Sequence, residues 1–414
     1  MKYPKWVKVF QRLDRKRDEH PEKTVKEQLM PLQERLCIKK GDRIAITVGS
    51  RYIANLVGVT KAVVDHIKSL GGLPFLVPAM GSHGGATSEG QKKILEEFGF
   101  TEETFGVPIL SSMEVVLLGE VEGIPIHFDK NAYQSDGIVI INRVKPHQFF
   151  KGEIQSGLNK MMALGLGKKE GADAIHRSGR TDHLGQIGDF IRSRMPILFG
   201  VAILENSYDE TRDVAVLTPE RFKEFDQTWV KQSRELMPKI PFRELDMVLV
   251  DQMGKDISGS GMDTNVIGFT RRTDRSGNVA VPLAVFDLTE KSDGNAIGIG
   301  LADFTTNRLV KKIDFQKTYT NVIAAGVYST GRIPITFDHE RDILDVILRK
   351  MEMAEKARLV RISNTLHLDE FFVTEALISE VKKNEKLSVS GELIEASFDD
   401  RGSLVLTEDD ARRL

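Results

Sequence analysis

Apolar residues recur along this chain with two alternating periods. Residues 43–48, Arg-Ile-Ala-Ile-Thr-Val, are a short β-branched run that predicts a strand. From 54 to 70 the apolar positions Leu56, Val59, Val63, Ile67 and Leu70 fall three or four apart, the spacing of one helix face. Gly71 and Gly72 then supply a stop. A second strand is predicted over 73–78 and a second helix over 88–98, with Thr87 or Ser88 as its cap. Residues 137–142, Gly-Ile-Val-Ile-Ile-Asn, are apolar without alternation, which predicts a strand covered on both faces. This rhythm of strand, helix and strand predicts a mainly parallel sheet with helices on both sides.

A more charged helical stretch runs from Thr218 to about Leu236. Leu245-Asp-Met-Val-Leu-Val250 then opens a second α/β pattern, which continues through 279–288, 295–301 and 320–327 to the strand-like 357–362. The expectation is two α/β domains with mainly parallel sheets and an active site in the cleft between them. The boundary is placed near 237–244, around Pro238 and Pro241. Residues 1–238 then form a cofactor-binding and catalytic domain, and 239–368 a substrate-side domain. The remainder, 369–414, holds a helix-like segment at 369–384 and is expected to pack back on the N-terminal domain.

Composition narrows the class. Hydrophobic residues make up 41% and charged residues 29% of the 414, as in ordinary globular proteins. With 58 basic and 60 acidic residues the net charge is −2, so no strong field points to nucleic acid or an anionic membrane as partner. The basic run Arg12 to Arg17, broken by Asp14, is expected to be a solvated helix face. A single cysteine, Cys37, excludes an intrachain disulfide and a cysteine-based metal site within one chain. Neither an apolar leader nor a run of about 18 apolar residues appears, and the expected location is the cytoplasm.

Ligands of open α/β sheets bind at loops past the carboxyl ends of strands. Gly49-Ser-Arg51, Gly81-Ser-His-Gly-Gly-Ala-Thr87, Pro146-His147 and Asp251-Gln-Met-Gly-Lys255 all occupy such places. His83 lies in a glycine-rich turn where a backbone can approach a ligand closely, and an imidazole there can serve as acid or base. It could equally be a turn histidine bonded to its own backbone. His147 follows Pro146 and precedes Phe149-Phe150, so a packed core histidine is the plain alternative. Lys160 borders the apolar run Met161-Met-Ala-Leu164, where desolvation can turn an amine into a nucleophile. A lysine lying along apolar surface with its charge in water is the commoner case. His176 stands 16 residues further on, about 24 Å along one continuous helix. Gly165, Gly167 and Gly171 are places where the chain could turn back. Imidazole is a common nickel, zinc or copper ligand. Arg51 at a strand end suits a carboxylate or phosphate.

In their order and spacing these residues resemble the nickel-pincer lactate racemase family. Gly81-Ser-His83, Pro146-His147, Ser156-Gly-Leu-Asn-Lys160 and the 16-residue step to His176 carry the resemblance, over most of the chain. It implies a nickel-pincer nucleotide, pyridinium-3,5-bisthiocarboxylic acid mononucleotide with nickel, covalently attached at Lys160. His176 would complete the nickel coordination, while Ser156, Gly157 and Gly84 would contact the cofactor. His83 and His147 would be paired acid/base residues, and Arg51, Gln252 and Lys255 would bind substrate. The partners implied are a small 2-hydroxyacid and the proteins that make the cofactor. The arginine motif reads Val48-Gly-Ser-Arg51 where the family has an acid first, and Asp251 replaces a tyrosine. Both departures touch the substrate side.

The implied activity is a racemase or epimerase of a 2-hydroxyacid, working by hydride abstraction and return. The substrate could be an aliphatic hydroxyacid, a dicarboxylate such as malate, or a sugar acid. Two other readings stand beside it: a non-catalytic carrier of the nickel cofactor or a nucleotide, and a hydrolase using a histidine-held metal.

Overall fold

The computed structural model describes residues 2–147, 152–179, 181–268 and 281–407. They form two compact units, one of Met1–Leu13 with Pro238–Leu414 and the other of Asp14–Met237. The first strand, β1 (Trp6–Gln11), therefore belongs to the unit built mainly from the C-terminal half.

In the Asp14–Met237 unit, β2 (Arg43–Val48) and β3 (Leu73–Pro78) are joined by the helix Leu56–Ser69. Next come β4 (Val115–Val121) and β5 (Ile124–Asp129), then β6 (Gly137–Arg143), β7 (Ile197–Glu205) and β8 (Thr211–Leu217). The five-stranded sheet runs β3-β2-β6-β7-β8, parallel except for the last pair. Alternate residues feed opposite cores. Ile44, Ile46, Val139 and Ile141 join one cluster with the helix residues Val59 and Val63, whereas Ala45, Ile138 and Ile140 join another with Leu158 and Ile187. Both faces of the sheet are thus covered, as the unbroken apolar run of β6 requires.

Thr87 is the residue that caps the helix Ser88–Glu97, its hydroxyl accepting from Gly90 N at 3.0 Å. The hairpin β4–β5 turns at Glu122-Gly123, both with positive φ, the requirement of a tight two-residue turn. The basic run 12–17 is not a helix face. It is irregular backbone, with Lys16 paired to Asp213 at 2.7 Å and Arg17 to Glu210 at 3.0 Å. Two basic side chains with nearby acids need no helical spacing to be satisfied.

The other unit holds β9 (Met247–Met253), β10 (Leu283–Leu288), β11 (Phe304–Thr306), β12 (Ile335–Phe337), β13 (Leu359–Ile362), β14 (Glu370–Thr374) and β15 (Leu387–Ile394). Its sheet runs β12-β11-β10-β9-β13-β14-β1-β15. The pairings from β12 to β13 are parallel, and those from β13 to β15 antiparallel. The expectation that 369–414 packs on the N-terminal domain is corrected here. Its strands β14 and β15 flank β1 in this sheet, and the first 13 residues leave the N-terminal domain to join them. The segment 369–384 is strand first and helix only from Ile378 to Lys383. Phe371 and Val373 feed one core while the intervening Phe372 packs on the other, the period of a strand.

Candidate active site

The C-terminal edge of the parallel sheet in the Asp14–Met237 unit collects most of the predicted residues. Register pairs β2 with β3 and β6, and β6 with β7, so four neighbouring strands end side by side. Ser50 and Arg51 follow β2, Gly81 to His83 follow β3, Asn142 and Arg143 end β6, and Glu205 ends β7.

His83 leaves β3 on a turn in which Gly81, Gly84 and Gly85 all have positive φ. Its Nδ1 lies against Ser50 Oγ in a short hydrogen-bond contact, which ties the ring to the loop after β2. The backbone N–H of His147 donates to Gln155 Oε1 at 3.1 Å, and the buried Pro146 holds the approach. Phe149 and Phe150, noted beside it in sequence, lie outside the described residues.

Lys160 ends a one-turn helix, Gly157–Lys160, whose setting the sequence did not announce. The Ser156 hydroxyl does not cap this helix. It accepts from Lys145 N at 2.7 Å. The cap comes instead from Asp226, buried on the helix Phe222–Leu236. Its carboxylate accepts from Leu158 N at 3.0 Å, Asn159 N at 2.9 Å and Asn159 Nδ2 at 2.7 Å. Gly157, at φ +86, is required for this approach, because a Cβ there would stand 2.0 Å from Asp226 Oδ1. Asn142 at the end of β6 donates to Gly157 O at 2.7 Å and ties the turn to the sheet. Arg192 donates to Asn159 Oδ1 at 2.7 Å from behind. Burial pushes the Asp226 carboxyl up to about 7 against these donors.

Five residues of π-helix, Met161–Gly165, follow the lysine. The chain then turns at Gly167 and Lys168, the latter at φ +52, into the helix Lys168–Ser178 that carries His176. The turn-back falls at Gly165–Lys168. Gly171 lies inside the second helix. Burial, then the charges of Arg51 and Arg143, bring the Lys160 amine down to about 7. Burial, then the Lys160 charge, lowers His176. Lys160, Arg51, Arg143 and His176 therefore stand within electrostatic reach of one another.

Arg51 is exposed, yet the protein packed around its guanidinium, and then Arg143, lower its pKa. It remains a cation in any case. No acidic side chain among the described residues pairs with Arg51, whereas Arg143 is paired with the buried Glu205 in a close ion pair. Arg143, Glu205, Asp226 and Asn159 were not anticipated, because nothing local marks them. The edge is an excess of positive charge around an amine that is half neutral at pH 7, which suits an anion and a nucleophile.

Gln252 and Lys255 fall in the other unit. Gln252 is exposed near the end of β9, and Lys255 Nζ donates to Gly259 O at 3.0 Å. Among the described residues no group of three or more His, Cys, Asp or Glu side chains could hold a metal. No helix among the described residues is long and apolar enough to cross a membrane.

The α/β fold of the chain has solved counterparts. It aligns with the lactate racemase apoprotein of Thermoanaerobacterium thermosaccharolyticum at a TM-score of 0.53 and 10% identity, over 84% of this chain and 93% of that one. A Thermotoga maritima protein from a structural genomics consortium aligns at 0.50 and 15% identity, over 76% and 84%. The fold is lactate racemase-like. No family model and no curated protein sequence matches the chain.

Proposed function

We propose that this protein is a racemase or epimerase of a 2-hydroxyacid that works with a nickel-pincer nucleotide tethered at Lys160. The observation that carries the reading is the Lys160 amine, held near pKa 7 beside Arg51, Arg143 and His176. A group with an activated carboxyl or thiocarboxyl function needs an unprotonated amine for attachment, and about half the Lys160 amines meet that need at pH 7. The phosphate and carboxylates of such a group suit a cationic edge. The His176 pKa is lowered, first by desolvation and then by the Lys160 charge, which favours the imidazole form whose lone pair a metal needs. Among the described residues no group of three or more His, Cys, Asp or Glu side chains accompanies His176, which suits a metal carried within a larger organic group. When bound, the group would supply nickel and a carbon able to accept hydride from C2 of the acid.

The chain's own residues do the rest. Arg51, with no acid partner among the described residues, holds the substrate carboxylate. His83, its Nδ1 against Ser50, presents Nε2 to the C2 hydroxyl and takes or returns its proton. His147 does the same from the opposite face. One imidazole must be neutral and the other charged in each half-cycle, so the rate follows a bell in pH. A carrier without turnover would need Lys160 and His176 but not the Ser50–His83 contact.

The test is intact-mass analysis after co-expression with the cofactor-making proteins, followed by chiral chromatography of a panel of 2-hydroxyacids. An adduct on Lys160 and inversion of one acid are expected. Absence of an adduct from folded, co-expressed protein overturns the reading.

A further inference from the structure

One buried lysine has no part in that chemistry. Lys168 has no exposed surface and stands at φ +52. The left-handed conformation costs a non-glycine residue about 1–2 kcal/mol. Burial of an ammonium costs several more unless it is fully compensated. Two such costs at one residue call for a reason, and strain of this kind clusters at functional sites.

Three oxygens surround the ammonium. Lys168 Nζ lies 3.1 Å from the buried Asp129 Oδ2 in an ion pair, and donates to Pro78 O at 2.5 Å and to Gln91 Oε1 at 3.2 Å. Pro78 ends β3, the strand that delivers His83. Gln91 is buried too, and its Nε2 donates to Gly81 O at 2.9 Å and to His83 O at 3.3 Å.

A glutamine amide can present either end to its neighbours. An ammonium only donates, so Lys168 takes the oxygen, and the NH2 group must then face the two loop carbonyls. Gly81, Gly84 and Gly85 in this loop are all left-handed, and Gln91 is the side chain that reaches two of its carbonyls. Lys168 also opens the helix that carries His176.

We propose that Lys168, acting through the orientation of Gln91, is a positioning residue that sets His83 relative to the His176 helix. This rests on the reading of His83 as an acid/base residue, but it is measured separately from turnover. The positioning is a property of the folded chain, with or without a bound group.

The experiment compares Lys168→Met, Gln91→Leu and Gln91→Glu with the wild type. Gln91→Glu separates positioning from packing. Its carboxylate keeps, and strengthens, the Lys168 contact, but cannot donate to Gly81 O or His83 O. Carbethoxylation of each histidine by diethyl pyrocarbonate is followed by peptide mass spectrometry, with His147 as internal reference and circular dichroism as the check on folding. In both Gln91 variants the His83 rate should change by about threefold or more while His147 stays put. In loaded enzyme, kcat should fall on the order of 10–100-fold with KM nearly constant, the expected cost of a misplaced group. An unchanged His83 rate in folded Gln91→Leu and Gln91→Glu overturns the proposal. Should Lys168→Met fail to fold, the two glutamine variants still decide. A moved His83 in a protein that inverts no 2-hydroxyacid leaves the positioning intact and removes the racemase reading instead.

Discussion

Replacing Gly157 by alanine tests the support of Lys160 most directly. At φ +86 an alanine loses about 1–2 kcal/mol in backbone strain alone. Its Cβ would also stand 2.0 Å from Asp226 Oδ1 and 2.5 Å from its Cγ, so the carboxylate must withdraw. Withdrawal strips Leu158 N and Asn159 N, both on buried residues, of a shared acceptor. Each such loss costs roughly 1–3 kcal/mol. The sum is about 3–8 kcal/mol. Gly85→Ala is the control, since it has φ +65 and nothing within 4 Å of its new Cβ, leaving the strain alone. The assay is urea unfolding followed by Trp229, which lies on the same helix as Asp226. A Trp6→Phe background silences the only other tryptophan, which belongs to the other unit. The midpoint should drop by roughly 1–2 M for Gly157→Ala and distinctly less for Gly85→Ala. Equal losses in the two variants would show that the Asp226 cap holds nothing, and the account of how Lys160 is placed would fail.

Three further outcomes follow from the same geometry. Amine-selective labelling of Lys160, read by mass spectrometry against pH, should have its midpoint near 7, and Arg51→Gln should raise it by roughly half a unit to one unit by removing a nearby cation. Between pH 7 and 10.5 the unfolded chain keeps a proton on Lys160 that the folded chain has lost, so stability from this group rises with pH across that window. Lys160→Met should remove the rise, worth on the order of 1–3 kcal/mol, and parallel denaturation curves at pH 6.5 and 10 for both proteins would contradict it. Glu205→Gln leaves Arg143 without its buried carboxylate and should cost about 3–5 kcal/mol in the same urea assay, with no loss counting against a buried pair.

Much of this protein is written in local pattern. Strands β2 and β6 follow from β-branched runs, β3 from a short apolar one, and the helix after β2 from its apolar spacing. His83 and His147 stand out for a related reason: loops at strand ends carry the glycines and the proline beside them. Other decisions could be made only in three dimensions. The edge position of β15, and the capture of β1 between β14 and β15, depend on hydrogen-bonding groups more than 350 residues apart in sequence. The cap on the Lys160 turn comes from Asp226, 66 residues beyond that lysine, although Ser156 stands at the position a local rule would choose. The amine's fall to about 7 needs burial and two arginines from neighbouring strand ends. Sequence therefore names the groups through local periods and turn chemistry. Their protonation and aim are set by desolvation and by partners that only the folded chain brings near.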